Sequence, residues 1–340
     1  VPLFGSDPSS RAPARGSRAT GRGVLLRICV ACVVLLTVVA YVAVRGMTGE
    51  DASVCTARSA GGGAGGADGT QDAPSYRLKP VQAANAATIA AVASRRGLPG
   101  RAVTIALATA MQESQLRNIT HGDRDSVGLF QQRPSQGWGT VTQISDPVYA
   151  VGKFYDHLVD IPGYARLPLT VAAQRVQRSG YPRAYAKHET NAALLTAALT
   201  GREAATLNCT AGAREKGVSG DPAQVRERLT REFGRDVLAD GAGSVGTSAA
   251  GGGSAHGVRP AGHAEAQPAV SVPAEGRRQG WELAHWAVAN AEGLHITRIS
   301  FGGREWSADR SGEGWRSTGE GDAKGGASRG PVRLLLAAGH

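Results

Sequence analysis

AVTIALATAMQESQLRNITHGDRDSVGLFQQRP, residues 102–134, is the stretch on which the reading of this chain turns. From Val103 to Met111 it has too little polar surface for an exposed helix. Ile105, Leu107, Ala108, Ala110 and Met111 cover most of its circumference, which predicts a central, buried helix. Glu113 falls in the last turn. Desolvation against a core and the negative end of the helix dipole both raise a carboxyl pKa there, so the protonated acid is favoured near neutral pH. A polar loop, residues 118–127, then leads to Gly128-Leu129-Phe130-Gln131. A protonated carboxylic acid at the edge of a core is the group that glycosidic bond cleavage requires. Taken alone, Glu113 also reads as a solvated helix-end residue; its surroundings separate the two readings.

The Glu113-Ser114 pair, followed fifteen residues later by Gly128-Leu129-x-Gln131 and then by Gln131-x-x-Pro134, resembles the core signature of the lytic transglycosylase branch of the lysozyme-like superfamily. Phe130 stands where that family usually carries Met. The run from AMQES through GLFQQRPSQGWGT to AAQRVQRSGYPRAYAKHE is similar to an actinobacterial, SLT-like form of the domain found on exported cell-wall proteins. The likeness covers residues 80–200. It implies a mainly α, lysozyme-like catalytic domain over residues 79–216 with Glu113 as the catalytic acid. The substrate-binding set expected with it is Ser114, Ser126, Gly128, Leu129, Phe130, Gln131, Gln132, Trp138, Gln177 and Tyr181. The substrate implied is the glycan strand of peptidoglycan, cut between N-acetylmuramic acid and N-acetylglucosamine without a cofactor. The chief departure is at Gln174 and Arg175, which occupy the places of Tyr and Asn in the family's Ala-Ala-Tyr-Asn-Ala-Gly motif. Gln177, Tyr181 and Tyr185 are candidates to replace those contacts.

Within the loop, Asp123 and Asp125 read first as turn formers through side-chain to backbone hydrogen bonds. Their functional alternative is a second carboxylate that activates water, which would make an inverting muramidase. Trp138, set between glycines, suits stacking on a sugar ring as well as it suits plugging a core. Asp146-Pro147 predicts a helix cap and first position, and Val151, Phe154, Tyr155 and Leu158 make the core stripe of the helix that follows.

On either side of this domain the composition changes. Residues 1–23 form a basic tail. Residues 24–45 contain ICVACVVLLTVVAYVAV between Arg27 and Arg45 and approach the roughly 20 apolar residues that span a bilayer. The expectation is a retained single-pass anchor in the plasma membrane, with the N-terminus cytoplasmic and the catalytic domain on the cell-wall side; a cleaved signal peptide is the rival reading. Residues 46–78 read as a Gly-rich linker and 217–238 as a charged helix capped by Asp221. Residues 239–276 read as a second linker. Residues 277–340 form a small α+β module, with a helix from Trp281, a hairpin turning at Gly302-Gly303, a third strand in VRLLLA, Trp281, Trp286 and Trp306 in its core, and Trp315 on a loop. Its role is not legible, and His285 reads as a helix-face residue rather than a ligand.

Cys55 and Cys209 flank the catalytic domain in an oxidising compartment and are expected to form a disulfide. Cys29 and Cys32 lie within the apolar segment, and the exported part carries no cysteine or histidine spacing suited to a metal. Of the net charge of +10, half comes from six arginines against one acid in the first 45 residues. That share reflects topology rather than nucleic-acid binding; the remainder favours anionic wall polymers by long-range attraction. No particular protein partner is indicated. A non-catalytic wall-binding or scaffold protein of a secretion or conjugation apparatus is the alternative from a different class.

Overall fold

The computed structural model describes residues 31–37, 53–60, 74–178, 183–212, 217–241, 267–319 and 330–339. Residues 31–37 are helical with every side chain exposed. Among the described residues no helix is long and apolar enough to cross a membrane, and most of the anchor expected at 24–45 lies outside them. Residues 53–340 form one compact unit. It is mainly α-helical, with a small sheet-containing C-terminal region.

The long apolar stretches build the helical body. Helix α1 (Pro80–Arg95) starts with Pro at its first position, and Gln82 reaches back to accept from the Lys79 amide at 2.7 Å. Helix α2 (Gly100–Ser114) is the predicted central helix, buried without interruption from Ala102 to Met111. It stops because Gln115 and Leu116 take left-handed backbone angles, with φ of 56° and 59°. Leu116 is nevertheless fully buried, and its carbonyl accepts from Asn85 Nδ2 at 2.8 Å. After the short α3 (Val141–Ile144), α4 (Pro147–Val159) begins as predicted: Asp146 Oδ1 accepts from the Val148 amide at 3.0 Å. Its stripe Val151, Phe154, Tyr155 and Leu158 is buried against α1, and Tyr155 donates to the Ile89 carbonyl at 3.0 Å. Helices α5 (Leu169–Gln177) and α6 (Glu189–Leu199) complete the body, with α6 packed along α2.

Both expected linkers contain strands. β1 (Cys55–Arg58) pairs antiparallel with β2 (Ser75–Leu78) and, on its other edge, with β3 (Leu207–Cys209). Cys55 sits opposite Cys209, and the two form the expected disulfide. Residues 53–60 and 74–78 therefore belong to the folded unit; strands this short carry no readable period, and their register is fixed by a partner 154 positions away. In the second linker, β4 (Ala269–Val272) pairs with β8 (Val332–Leu336) in a five-stranded antiparallel sheet ordered β4-β8-β5-β6-β7. Here β5 is Ile296–Phe301, β6 Arg304–Ser307 and β7 Arg316–Ser317.

The C-terminal region is part of the same body rather than a detached module. Helix α7 (Pro222–Phe233), capped by Asp221, lies on α1, and α8 (Arg277–Ala289) packs at once on β5, β3, α1 and α6. Gly201 permits this approach. Its φ is 64°, and a Cβ there would stand 1.8 Å from the Arg278 carbonyl oxygen. Trp281, Trp286 and Trp306 are buried as expected. Trp315 lies on a loop, as expected, just before β7, and is buried there: its Nε1 donates to the Leu207 carbonyl at 2.9 Å and its ring meets Trp281 edge-on.

Candidate functional site

Glu113 lies half-buried in the last turn of α2. Tyr185, fully buried, donates its hydroxyl to Glu113 Oε1 at 2.8 Å. The Gln177 side chain, at the end of α5, also hydrogen-bonds Glu113, and its Nε2 donates to the Phe130 carbonyl at 2.7 Å. Burial pushes the Glu113 carboxyl above its ordinary range, while the bonds from Tyr185 and Gln177 pull in the opposite direction; desolvation is the largest cause. The result is a carboxyl with a raised pKa that is held in one orientation by two donors. Beside it, His188 Nε2 lies 3.2 Å from Gln112 Oε1, and burial lowers the His188 pKa, which favours the neutral imidazole.

The expected binding residues divide by what they touch. Ser114 is buried and donates to the Leu129 carbonyl at 2.8 Å, which fastens the Gly-Leu-Phe-Gln turn to the end of α2. Gly128 has φ 81°, and a Cβ there would stand 2.8 Å from the Ile144 carbonyl; its amide donates to Ile119 at 2.7 Å. Leu129 and Phe130 turn their side chains into the core. Both are fully buried, and Phe130 stacks on Phe154 at 4.5 Å, because their apolar side chains gain more from the core than from solvent. Gln132 is buried as well, with Nε2 donating to the Ala150 carbonyl at 3.1 Å, so its role is to pin the turn to α4. Gln131 lies over Gly122 and donates to the Gly128 carbonyl at 3.2 Å. Ser126 bonds the Asp123 carbonyl within the loop. Trp138 is half-buried with its ring tilted on His157 at 4.3 Å. Tyr181 lies outside the described residues.

The loop acids take the turn-forming role in one case. Asp125 accepts from Arg133 Nε at 2.7 Å and from the Ser135 amide at 2.8 Å, and these donors hold its carboxyl well below the usual carboxylate range. Asp123 is exposed, with Arg124 at 4.0 Å. Around Glu113 the structure thus collects Gln177 from the end of α5 and Tyr185 from the segment between α5 and α6. Among the described residues no cluster of side chains is suited to a metal ion.

Two cavities lie elsewhere. One of about 270 Å³ is bordered by Cys209, His295 and Trp306; the other, of about 520 Å³, by Ser94, Arg278 and Glu282. Among the described residues Glu282 is, after Glu113, the second carboxyl raised above its ordinary range. Burial raises it to about 7 against weaker lowering by a Ser94 hydrogen bond and by Arg278.

Residues 217–326 match the family model described as VldE, C-terminal domain. The match takes in α7, α8 and strands β4 to β7, stops before β8 and leaves the helical body around Glu113 outside it. No lysozyme-like family model matches the chain. No curated protein matches it.

Proposed function

We propose that this protein is a peptidoglycan lytic transglycosylase that works with the single carboxyl of Glu113. The observation that carries the reading is the half-buried Glu113 with its raised pKa, oriented by Tyr185 and Gln177. Protonated Glu113 donates its proton to the glycosidic oxygen as the bond to the muramyl anomeric carbon breaks. The resulting carboxylate then takes the proton of the muramyl 6-hydroxyl while that oxygen closes on the anomeric carbon, giving a 1,6-anhydro end and regenerating the acid. No second carboxylate is needed. That suits a site in which Asp125 is engaged by Arg133 and Ser135.

The cell-wall setting is part of the proposal. The Cys55–Cys209 bond suits an oxidising compartment. The uncharged run at residues 28–44, behind an arginine-rich tail, suits a single-pass anchor with the N-terminus cytoplasmic and the catalytic body outside. A wall-binding protein without turnover is the second reading, favoured by Gln174 and Arg175 in place of the family's Tyr-Asn pair. Incubation of the full chain with purified peptidoglycan, followed by mass spectrometry, separates the cases. Anhydro-muropeptides are the expected product; reducing ends would make the protein a hydrolase, and intact strands a binder.

A further inference from the structure

The cavity of about 520 Å³ between the start of α8 and the helical body is of the size that takes a small molecule, and Glu113 is not among its walls. Three chemistries meet there. Glu282, only 8 % exposed, lines it together with Ser94 of α1, whose hydroxyl hydrogen-bonds the carboxyl. Arg278, one turn earlier on α8, lines it too; its Nε donates to the Thr200 carbonyl at 3.1 Å, which anchors the guanidinium and leaves its terminal nitrogens for another acceptor. Ala90, Leu98 and Val103 supply an apolar wall. Arg278 and Glu282 stand four residues apart, the spacing at which Arg228 and Glu232 of α7 pair at 2.9 Å. On α8 the positive charge acts on the carboxyl, yet no ion pair joins the two, and among the described residues neither pairs with any other charged side chain. A buried carboxyl and an anchored guanidinium held apart across a cavity are each short of a counter-charge.

We propose that this cavity binds a free aliphatic α-amino acid of about the size of leucine, with its ammonium on Glu282, its carboxylate on Arg278 and its side chain against Ala90, Leu98 and Val103. Side chains four apart on a helix leave it about 5–6 Å from one another, so their ends reach the two charges that an α-amino acid carries on one carbon. A plain amine leaves Arg278 without its acceptor, a plain carboxylate meets the ionised Glu282, and a neutral sugar answers neither charge. The other charged groups on the cavity wall are Glu275 and Arg277, both exposed; α1, α2 and the end of α6 face it with the uncharged Ala90, Ser94, Val103 and Thr200, and His285, one turn beyond Glu282, is neutral. Burial keeps the empty carboxyl protonated up to about pH 7, so an ammonium must displace that proton as it binds, and affinity falls as pH drops below 7.

Isothermal titration of the full chain with L-leucine, with isoamylamine, which lacks the carboxylate, and with 4-methylpentanoate, which lacks the ammonium, tests the assignment. Leucine is expected to bind at least about tenfold more tightly than either analogue, since each loses one charge-assisted contact. Glu282→Gln should weaken leucine about tenfold and leave 4-methylpentanoate no weaker, while Arg278→Gln should weaken leucine and leave isoamylamine no weaker; circular dichroism checks that both variants are folded. Lowering the pH from about 7.5 to about 5.5 should weaken leucine on the unaltered chain by about tenfold or more and leave Glu282→Gln unmoved. Absence of leucine binding at about 10 mM overturns the proposal. So does isoamylamine binding as tightly as leucine, which would make the cavity a site for cations alone, and so does leucine binding that Glu282→Gln leaves untouched. Glu113→Gln should bind leucine as the unaltered chain does, so the outcome here and the outcome of the peptidoglycan assay are read independently.

Discussion

The seam between α8 and the helical body holds two titratable groups whose effects on stability oppose each other, and replacing one exposes the other. Glu282 is raised from 4.5 to about 7 by burial. Its contribution is fully present below pH 4.5, where folded and unfolded chains are both protonated, and is lost as pH rises through 7. The difference between those values corresponds to about 3 kcal/mol. His285, one turn further along α8, is fully buried, with Nδ1 2.8 Å from the Ala198 carbonyl and Nε2 accepting from the Thr206 amide at 3.2 Å. That arrangement fixes the neutral ring, and burial lowers its pKa from 6.5 to about 4. Its stability contribution is complete above 6.5 and is lost as pH falls through 4, again by about 3 kcal/mol. Between pH 4.5 and 6.5 the two slopes cancel, so these groups leave the stability of the full chain nearly flat there. Glu282→Gln removes one slope. The variant is expected to match the parent near pH 4.5, to gain stability as pH rises towards 6.5, and to exceed the parent by up to about 3 kcal/mol at pH 8. Urea unfolding at those three pH values measures it. Parallel curves for parent and variant would refute the reasoning.

Glu113→Gln keeps size and polarity but removes the acid, and turnover on peptidoglycan should fall by about 10²–10⁴-fold with an unchanged unfolding midpoint; near-parental product release in the muropeptide assay eliminates this site. Tyr185→Phe removes a hydrogen bond that lowers the Glu113 pKa, so the acid stays protonated to higher pH and the alkaline limb of the pH–rate profile moves up; a limb that stays put or moves down counts against the Tyr185 contact as a determinant. Asp125→Asn loosens the turn held through Arg133 and Ser135 and should lower turnover only modestly; a loss as large as that of Glu113→Gln points instead to a two-carboxylate hydrolase. Replacing Cys55 and Cys209 together by Ser should destabilise the folded unit by about 2–4 kcal/mol in urea unfolding, and equal stability of the two forms would contradict a structural role for the bond.

The central helix was legible because α2 is apolar around its whole circumference, and the starts of α4 and α7 because Asp146-Pro147 and Asp221-Pro222 are strong local signals. The paired cysteines were legible from compartment and placement, but β1 and β2 were not. Four-residue strands such as CTAR and SYRL have no rhythm of their own and exist through their pairing. Within the site, sequence marked Glu113 and the turn that faces it, yet could not separate turn residues that look outward from those that look inward. Leu129, Phe130 and Gln132 went inward, where they hold the turn against α2 and α4. Tyr185 stands 72 positions from Glu113. Only the path of the chain after α5 brings its hydroxyl to the acid, so sequence marked it as one of several aromatic candidates and no more.

The polar residues of the C-terminal region explain why it reads as a separate module and folds as part of the body. In sequence, Glu232, Glu282 and His285 look like solvent-facing positions of two helices. In the structure Glu232 is buried and accepts from Thr88 on α1 at 3.1 Å, from Arg228 on α7 at 2.9 Å and from Trp286 on α8 at 2.7 Å. One carboxylate joins three helices, and Gly201 and His285 tie α8 to the end of α6. Taking a partner away from a buried, hydrogen-bonded charge typically costs about 3–5 kcal/mol, so α8 does not swing free of the body at small cost. The helices it braces, α1 and α6, are those that pack against α2, and α2 ends in Glu113. The region matched by the VldE C-terminal model therefore packs, through α1 and α6, behind the helix that ends in Glu113.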